Sequence, residues 1–451
     1  MSVRRNPFVA ALFGFLLVLA SCTDDDVAAP LSEPVPPSSD TEGPENPEPT
    51  ESPDNAATPD SDAVEPGPGE VASLPGEILL RDGAGRIVIT NPSGGAPTVL
   101  ADAGSDHSQP TWSSSGNRVA WSSFGPDGAT LNTASADGAE IQSQAVPAPA
   151  FYLSWSPNDN WIGGLRSASG GMETFVFPTS VSPVDQSGGR SITNAAPFYF
   201  EWATDTDIVA AVAAQFLADI SVNSETDPLV RDLGAPLGFF QAPVIDPAGS
   251  IFATLNIDGV NTLVLVDGAA ATPIATATSL MYLSLSPDGR RLAVLVAADG
   301  GSTEPEQQVI SYQFDEVIEL ESARVTIFDL ETGEAITEPD EDVLAMQWSP
   351  DSTTLALLRF VGSGLRWDFA RESARMQGTE FVPSQRFLQR YLPFFDQYNL
   401  SSTWWSPDSS AIVFSGTVAA ESGVFIDLID DAAGPVLLSD GDIAFWSPNQ
   451  G

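Results

Sequence analysis

The sequence has no lysine, one cysteine and one histidine, and its N-terminal apolar run, 8–19, is too short to cross a bilayer as a helix. Each scarcity removes a class of chemistry. A single thiol, Cys22, excludes an internal disulfide and any zinc site built on several cysteines, and a single imidazole, His107, excludes a multi-histidine metal centre. A serine hydrolase needs a Gly-x-Ser-x-Gly elbow and a histidine base. No such elbow occurs, and His107 stands in the polar stretch Ser105-Asp106-His107-Ser108, where a solvated or capping role is expected. Asp-x-Asp-x-Asp-Gly calcium loops and Gly-rich phosphate loops are missing too, and the short acidic clusters at 205–207 and 340–342 read as turns. None of the 61 acidic residues stands out as a catalytic pair. The expectation is therefore no catalytic residue, no metal and no cofactor. With 17 arginines as the entire basic complement, the formal charge is −44, and such a field repels the phosphates of nucleic acid and of anionic lipid.

What the sequence does contain is a repeated turn. Trp348-Ser349-Pro350-Asp351 follows one apolar run and precedes another. Proline presets φ for the second turn position, and the Ser and Asp side chains can bond nearby backbone amides, so the unit reads as strand, tight turn, strand. Equivalent turns follow Trp112, Trp155, Trp202, Ile245, Leu285, Trp348, Trp405 and Trp446, at intervals of 40 to 63 residues. The shorter intervals match the roughly 40–45 residues of a four-stranded propeller blade. Each of the eight residues is expected to end an inner strand and wedge between neighbouring blades. At 77–80, 86–90 and 98–101 three strand candidates precede the first turn, while 442–449 supplies one strand and one turn before the chain stops. Together they complete a single blade. The expected fold is all-β: an eight-bladed propeller of four-stranded antiparallel blades, closed by N- and C-terminal strands that share one blade, since closure removes the exposed edge.

The N-terminus reads as a signal: Arg4 and Arg5, the apolar run, then Leu19-Ala20-Ser21-Cys22. This ending resembles a bacterial lipobox, which implies cleavage after residue 21 and lipidation of Cys22. The membrane is then a partner through the anchor, and the folded domain lies outside the cytoplasm, in a periplasm or at the cell exterior. Residues 22–72 are acidic, rich in proline and nearly free of large apolar side chains, so they are expected to form a disordered tether of roughly 40 Å. The propeller is assigned to 73–451.

The Trp-Ser-Pro-Asp turns, followed by runs such as Leu292-Ala293-Val294-Leu295 and Ala411-Ile412-Val413-Phe414, resemble the repeats of the TolB-like, WD-repeat-related β-propellers. The stretch 391–398 leading into 404–408 is similar to a subgroup of bacterial TolB-like proteins. The resemblance implies the fold, and roles as diverse as scaffold, sensor ectodomain and peptidase gate. The namesake of the family has six blades behind a small α/β domain. Here a lipobox, a tether and two further turns replace that plan, so a Tol-system role is not carried over.

The two long intervals predict inserts at about 299–322 and 360–402. The first is acidic. The second concentrates arginine and aromatics, and its Arg366, Trp367, Arg371, Arg375, Arg386, Arg390, Tyr391 and Tyr398 are the candidate partner-binding residues, since Arg, Trp and Tyr dominate interface hot spots. Ser384 is expected to cap a helix that Pro393 ends. The functional expectation is an anchored module that binds a protein or peptide without catalysis. The alternative is an enzyme or sensor that takes an extracellular glycan or peptide in the central channel.

Overall fold

The Ser-Pro-Asp turn is held by the same few bonds wherever it occurs. Ser349 Oγ donates to Asp351 Oδ1 at 2.6 Å and accepts from Thr354 N at 2.9 Å, while Ser352 N donates to Ser349 O at 2.8 Å. Ser286 with Asp288 and Arg291, and Ser406 with Asp408 and Ala411, repeat the pattern. Burial works to raise the carboxyls of Asp288, Asp351 and Asp408, but bonds from serine hydroxyls and backbone N–H groups hold all three below the usual carboxylate range. The last turn residue is left-handed, which suits Gly116 and Gly289; serine occupies it at Ser352 (φ 62°) and Ser409 (φ 65°). Both serines bind the neighbouring turn: Ser352 Oγ accepts from Asp288 N and Ser409 Oγ from Asp351 N, each at 3.0 Å. Ser349→Ala is expected to strand the Thr354 amide in a fully buried position. It should cost about 1–3 kcal/mol, read as a lower urea midpoint at unchanged m-value.

The computed structural model describes residues 74–449 except 170, 180–188, 195–197, 224–228, 232, 239–240, 269, 298–317, 322, 339–341, 372–373 and 430–433. The signal, Cys22 and the tether lie outside the described residues, as does most of the 299–322 interval.

Strands follow one another in hairpins and form consecutive sheets. Sheet II holds Asp106–Trp112, Arg118–Gly125, Gly128–Ser135 and Gln142–Val146; sheet III holds Ala150–Trp155, Trp161–Ala168, Gly171–Pro178 and Arg190–Asn194. Sheet IV runs from Phe198–Trp202 to Leu229–Arg231, and sheet V from Val244–Ile245 to Ala270–Ala277. Ile318–Glu319 adds to sheet V in parallel, beside Ala275 and Thr276, so the chain leaving the long interval returns across the preceding sheet. Sheet VI begins with Met281–Leu285 and ends with Ala335–Thr337. Sheet VII has seven strands, from Val343–Trp348 through Ala374–Pro383 and Ala411–Val418 to Val436–Ser439. Its two halves join where Val382 faces Thr417 and Pro383 faces Gly416.

Sheet I closes the ring. Ile443–Trp446 lies antiparallel to Ile78–Arg81, with Ile78 opposite Trp446 and Arg81 opposite Ile443, and Ile87–Thr90 and Thr98–Ala101 complete the sheet. The turn residues Trp112, Trp155, Trp202, Ile245, Leu285 and Trp348 each end the first strand of a hairpin, Trp405 bridges Ile412 in the same position, and Trp446 ends the strand that pairs with Ile78–Arg81. Three indole N–H groups tie an inner strand to the one before it. Trp112 Nε1 donates to Phe445 O (3.2 Å), Trp348 Nε1 to Ser284 O (3.1 Å) and Trp405 Nε1 to Gln347 O (3.2 Å). Arginines bridge the other way, with Arg118 over the Trp155 ring and Arg291 over that of Trp348 at 5.1 and 4.7 Å. Each of these three indoles thus contributes apolar burial and one satisfied donor at the seam.

Candidate functional site

The segment 384–402 enters the inside of the ring and bonds to the inner strands of several sheets. Ser384 Oγ accepts from Phe387 N at 3.1 Å and starts a π-helical turn, Phe387–Tyr391; Leu392–Phe394 follows as a 3-10 turn and Phe395–Tyr398 as one turn of α-helix. Short helical turns let side chains leave in every direction. Phe387, Tyr391, Leu392, Phe395 and Tyr398 are all buried. The Phe395 ring lies 5.2 Å from Tyr282, and that of Tyr398 5.4 Å from Tyr152.

Polar residues between the aromatics hold the plug in register. Gln397 Nε2 donates to Phe200 O and its Oε1 accepts from Phe200 N, both at 2.9 Å, so the amide side chain pairs like a strand with sheet IV. Its carbonyl accepts from Tyr152 Oη of sheet III at 3.1 Å. Tyr398 Oη reaches Gln109 Oε1 at 2.9 Å and Phe151 O at 2.6 Å, Asn399 Nδ2 donates to Met346 O at 2.5 Å, and Asp396 Oδ2 accepts from Ala242 N at 2.9 Å. Sheets II, III, IV and VII are thereby bonded to one short segment, along with the chain that leads into sheet V.

Two carboxyls here are out of their ordinary range. Burial pushes Asp396 up to about 6, against opposing backbone N–H bonds led by that of Ala242, and its Oδ1 has no partner among the described residues. Burial likewise pushes Glu201, on the first strand of sheet IV, up to about 8, with only a backbone bond from Ile245 opposing it, and leaves its Oε2 unpaired. Tyr152 rises to about 12 for the same reason.

The candidate residues named from the sequence fall into three settings. Arg366, Trp367, Arg371 and Arg375 are not in an insert, because 360–383 belongs to ordinary strands of sheet VII, Thr354–Val361, Gly364–Arg371 and Ala374–Pro383. Arg366 pairs with buried Asp368 through both Nε (2.6 Å) and Nη2 (2.9 Å), and Arg359 joins the same carboxylate at 2.9 Å. Arg371 Nε donates to Thr354 Oγ1 at 3.0 Å, Arg375 pairs with buried Glu338, and buried Trp367 lies 5.7 Å from Trp404. In the plug, Tyr391 and Tyr398 are buried ring to ring at 4.5 Å, so their phenols face protein and not a partner. Arg386 binds Asp442 Oδ2 at 3.1 Å and Asp106 at 3.4 Å, in a cluster shared with Arg81. Arg390 is exposed and has no ion pair among the described residues. His107 is also placed differently from the expectation of a solvated loop. It is buried in the first strand of sheet II, with Nδ1 2.7 Å from Ser123 Oγ and Nε2 2.9 Å from Asp102 O.

Asp106 and Asp442 stand at the starts of inner strands that end in Trp112 and Trp446, so Arg386, which binds both, lies at one opening of the ring and the turns surround the other; Arg390 follows Arg386 by about one helical turn. At the turn side the plug stops short, at 399–403, and leaves a cavity of about 370 Å³ between those residues and the turns at Trp112, Trp155, Leu285, Trp348 and Trp446. Sequence reasoning missed Asp396, Gln397 and Asn399, which carry the plug's bonding. The available signal was polar residues interrupting an aromatic stripe, Tyr391 to Tyr398, too dense to be a surface.

No family model matches the chain and no curated protein matches it. Among solved structures it is similar to dihydro-heme d1 dehydrogenase NirN in complex with DHE, at 12% identity over 87% of this chain and 78% of that one, TM-score 0.52. It is also similar to a eukaryotic initiation factor, at 12% identity over 83% of this chain and 99% of that one, TM-score 0.50. TolB from Acinetobacter baumannii aligns at 12% identity over 86% of this chain and 69% of that one, TM-score 0.38. Identities this low bear on the fold alone. The closed succession of hairpin sheets makes the fold of the chain a β-propeller.

Proposed function

We propose that the protein is a lipid-anchored, eight-bladed propeller outside the cytoplasm that binds a protein or peptide on a face of the ring, without catalysis. The count of eight takes sheet VII as two blades fused at Val382 and Pro383, each with its own inner strand, Val343–Trp348 and 403–405. The observation that carries the functional reading is the plug. Buried side chains occupy the channel that many ligands of a ring would use, which leaves the two faces as recognition surfaces. At the plug side, exposed Arg390 stands out in a chain of charge −44 and suits a carboxylate on a partner.

Two variants test this. Cys22→Ser is expected to move the protein from the membrane fraction to the soluble one, since the acyl chains provide the anchor. A pull-down from detergent-solubilised membranes is expected to recover a partner with the intact protein and to lose it with Arg390→Glu. Equal recovery by both, or no partner with either, overturns the reading.

A further inference from the structure

We propose that the turn-side cavity is a binding site for an uncharged saccharide of one or two rings. Its volume of about 370 Å³ falls at the small end of ligand pockets, which run from about 300 to 1,000 Å³. None of its lining residues carries an ionisable side chain, although the chain as a whole bears 61 acids and 17 arginines. An anionic ligand would meet no cation there and a strongly negative field outside; a cationic one would meet no carboxylate. About half of the lining residues present a hydroxyl or a side-chain amide, and although those of Ser114, Gln347, Asn399 and Thr403 are bonded within the protein, the mixed lining gives a purely apolar ligand no advantage. Apolar edges interleaved with hydroxyls and amides, as at Leu400, Ser401 and Pro448, match the alternating C–H and O–H faces of a neutral sugar ring.

A second observation points to an acceptor atom on the ligand. Trp155 lines the cavity, is 4% exposed, and its Nε1–H has no hydrogen-bond partner among the described residues. The indoles of Trp112, Trp348, Trp405 and Trp446 all donate to backbone carbonyls. The indole nitrogens of Trp155 and Trp202 are both left over among the described residues and neither is open to solvent, so an acceptor on a ligand reaches the Trp155 donor only with a small shift of the ring. The site is open to solvent at Ser114, Pro287 and Pro448, which are exposed.

The test uses the full chain in a detergent without a sugar headgroup, titrated with methyl β-glucoside, methyl β-galactoside, maltose and cellobiose, and with glucuronate as the charged control. Tryptophan fluorescence and saturation-transfer NMR are the readouts. At least one neutral sugar is expected to bind saturably with Kd on the order of millimolar or tighter, and glucuronate about tenfold more weakly or not at all. Ser114→Trp, at an exposed rim position, is expected to abolish binding while leaving the circular dichroism and melting curve unchanged. Trp155→Phe keeps the ring but removes the unpaired donor, and is expected to weaken binding several-fold. Saturation by none of the neutral sugars, equal binding of glucuronate, binding that survives Ser114→Trp, or occupation instead by a neutral proline-rich peptide overturns the proposal. Partner capture depends on Arg390 at the other opening, so the two readings fail separately.

Discussion

Gln397→Leu is expected to destabilise the protein by about 2–5 kcal/mol, more than any exposed substitution in the same segment. The replacement is close in size, so the loss comes from hydrogen bonding and not from a cavity. Gln397 is 2% exposed and pairs with both the N–H and the C=O of Phe200, on an inner strand inside the ring. Leucine leaves one buried donor and one buried acceptor unpaired, at about 1–3 kcal/mol each. Hydrogen exchange localises the effect: the Phe200 amide should lose protection selectively, while amides of sheet I should follow the global stability. If the urea midpoint is unchanged and Phe200 keeps its protection, the plug is a decoration on a ring that stands without it. Tyr398→Phe supplies a milder comparison, since it removes the donor to Gln109 and Phe151 but keeps the ring packed against Tyr152 and Tyr391.

The contrast between the turns and the plug explains how much could be read without coordinates. A Trp-Ser-Pro-Asp turn is decided locally: proline fixes one dihedral, Ser and Asp bond amides within five residues, and the flanking alternation fixes which faces are buried. Those constraints survive in any context, so the turn positions, the strand order of the four-stranded sheets and the pairing of 443–446 with 78–81 were legible, whereas the parallel strand Ile318–Glu319 and the fusion of sheet VII were not. The segment 384–402 is decided by what surrounds it. Its helical turns are too short to be stable alone, and its aromatics have the composition of an interface hot spot whether they face a partner or the inside of the same ring. The same ambiguity covered Arg375 and Arg386. An arginine displays no signal in the sequence for its carboxylate partner when that partner, like Asp442 or Glu338, arrives from tens of residues away. His107 was misplaced for a related reason: the flanking Asp106 and Ser108 suggest a loop, but Ser123 and the Asp102 carbonyl satisfy both ring nitrogens inside the sheet.

Buried Asp396 and half-buried Glu201 make stability fall as pH rises. Glu201 titrates at about 8 in the folded chain against an ordinary value of 4.5, and Asp396 at about 6 against 3.8. Between the unfolded and folded values the native state holds protons that the unfolded state has released, so unfolding free energy decreases with pH, by up to about 1.4 kcal/mol per unit for each proton. The window runs from about pH 4 to 6 for Asp396 and from about 4.5 to 8 for Glu201; below it neither group opposes folding, and above it the full penalty of a buried charge applies. Repulsion among 61 acids tilts the curve in the same direction, so the wild-type slope alone proves little. The comparison that isolates the effect is Glu201→Gln, which cannot ionise: its urea midpoint should fall less than that of the wild type between pH 5 and pH 8, with the two curves diverging most above pH 6. Asp396→Asn should flatten the lower part of the window instead, where the Ala242 amide still finds an acceptor in the asparagine side-chain oxygen. Parallel curves for wild type and both variants would mean that water reaches these carboxyls through the seam between sheets IV and V, and that the plug is packed more loosely than its bonds to Phe200 and Ala242 imply.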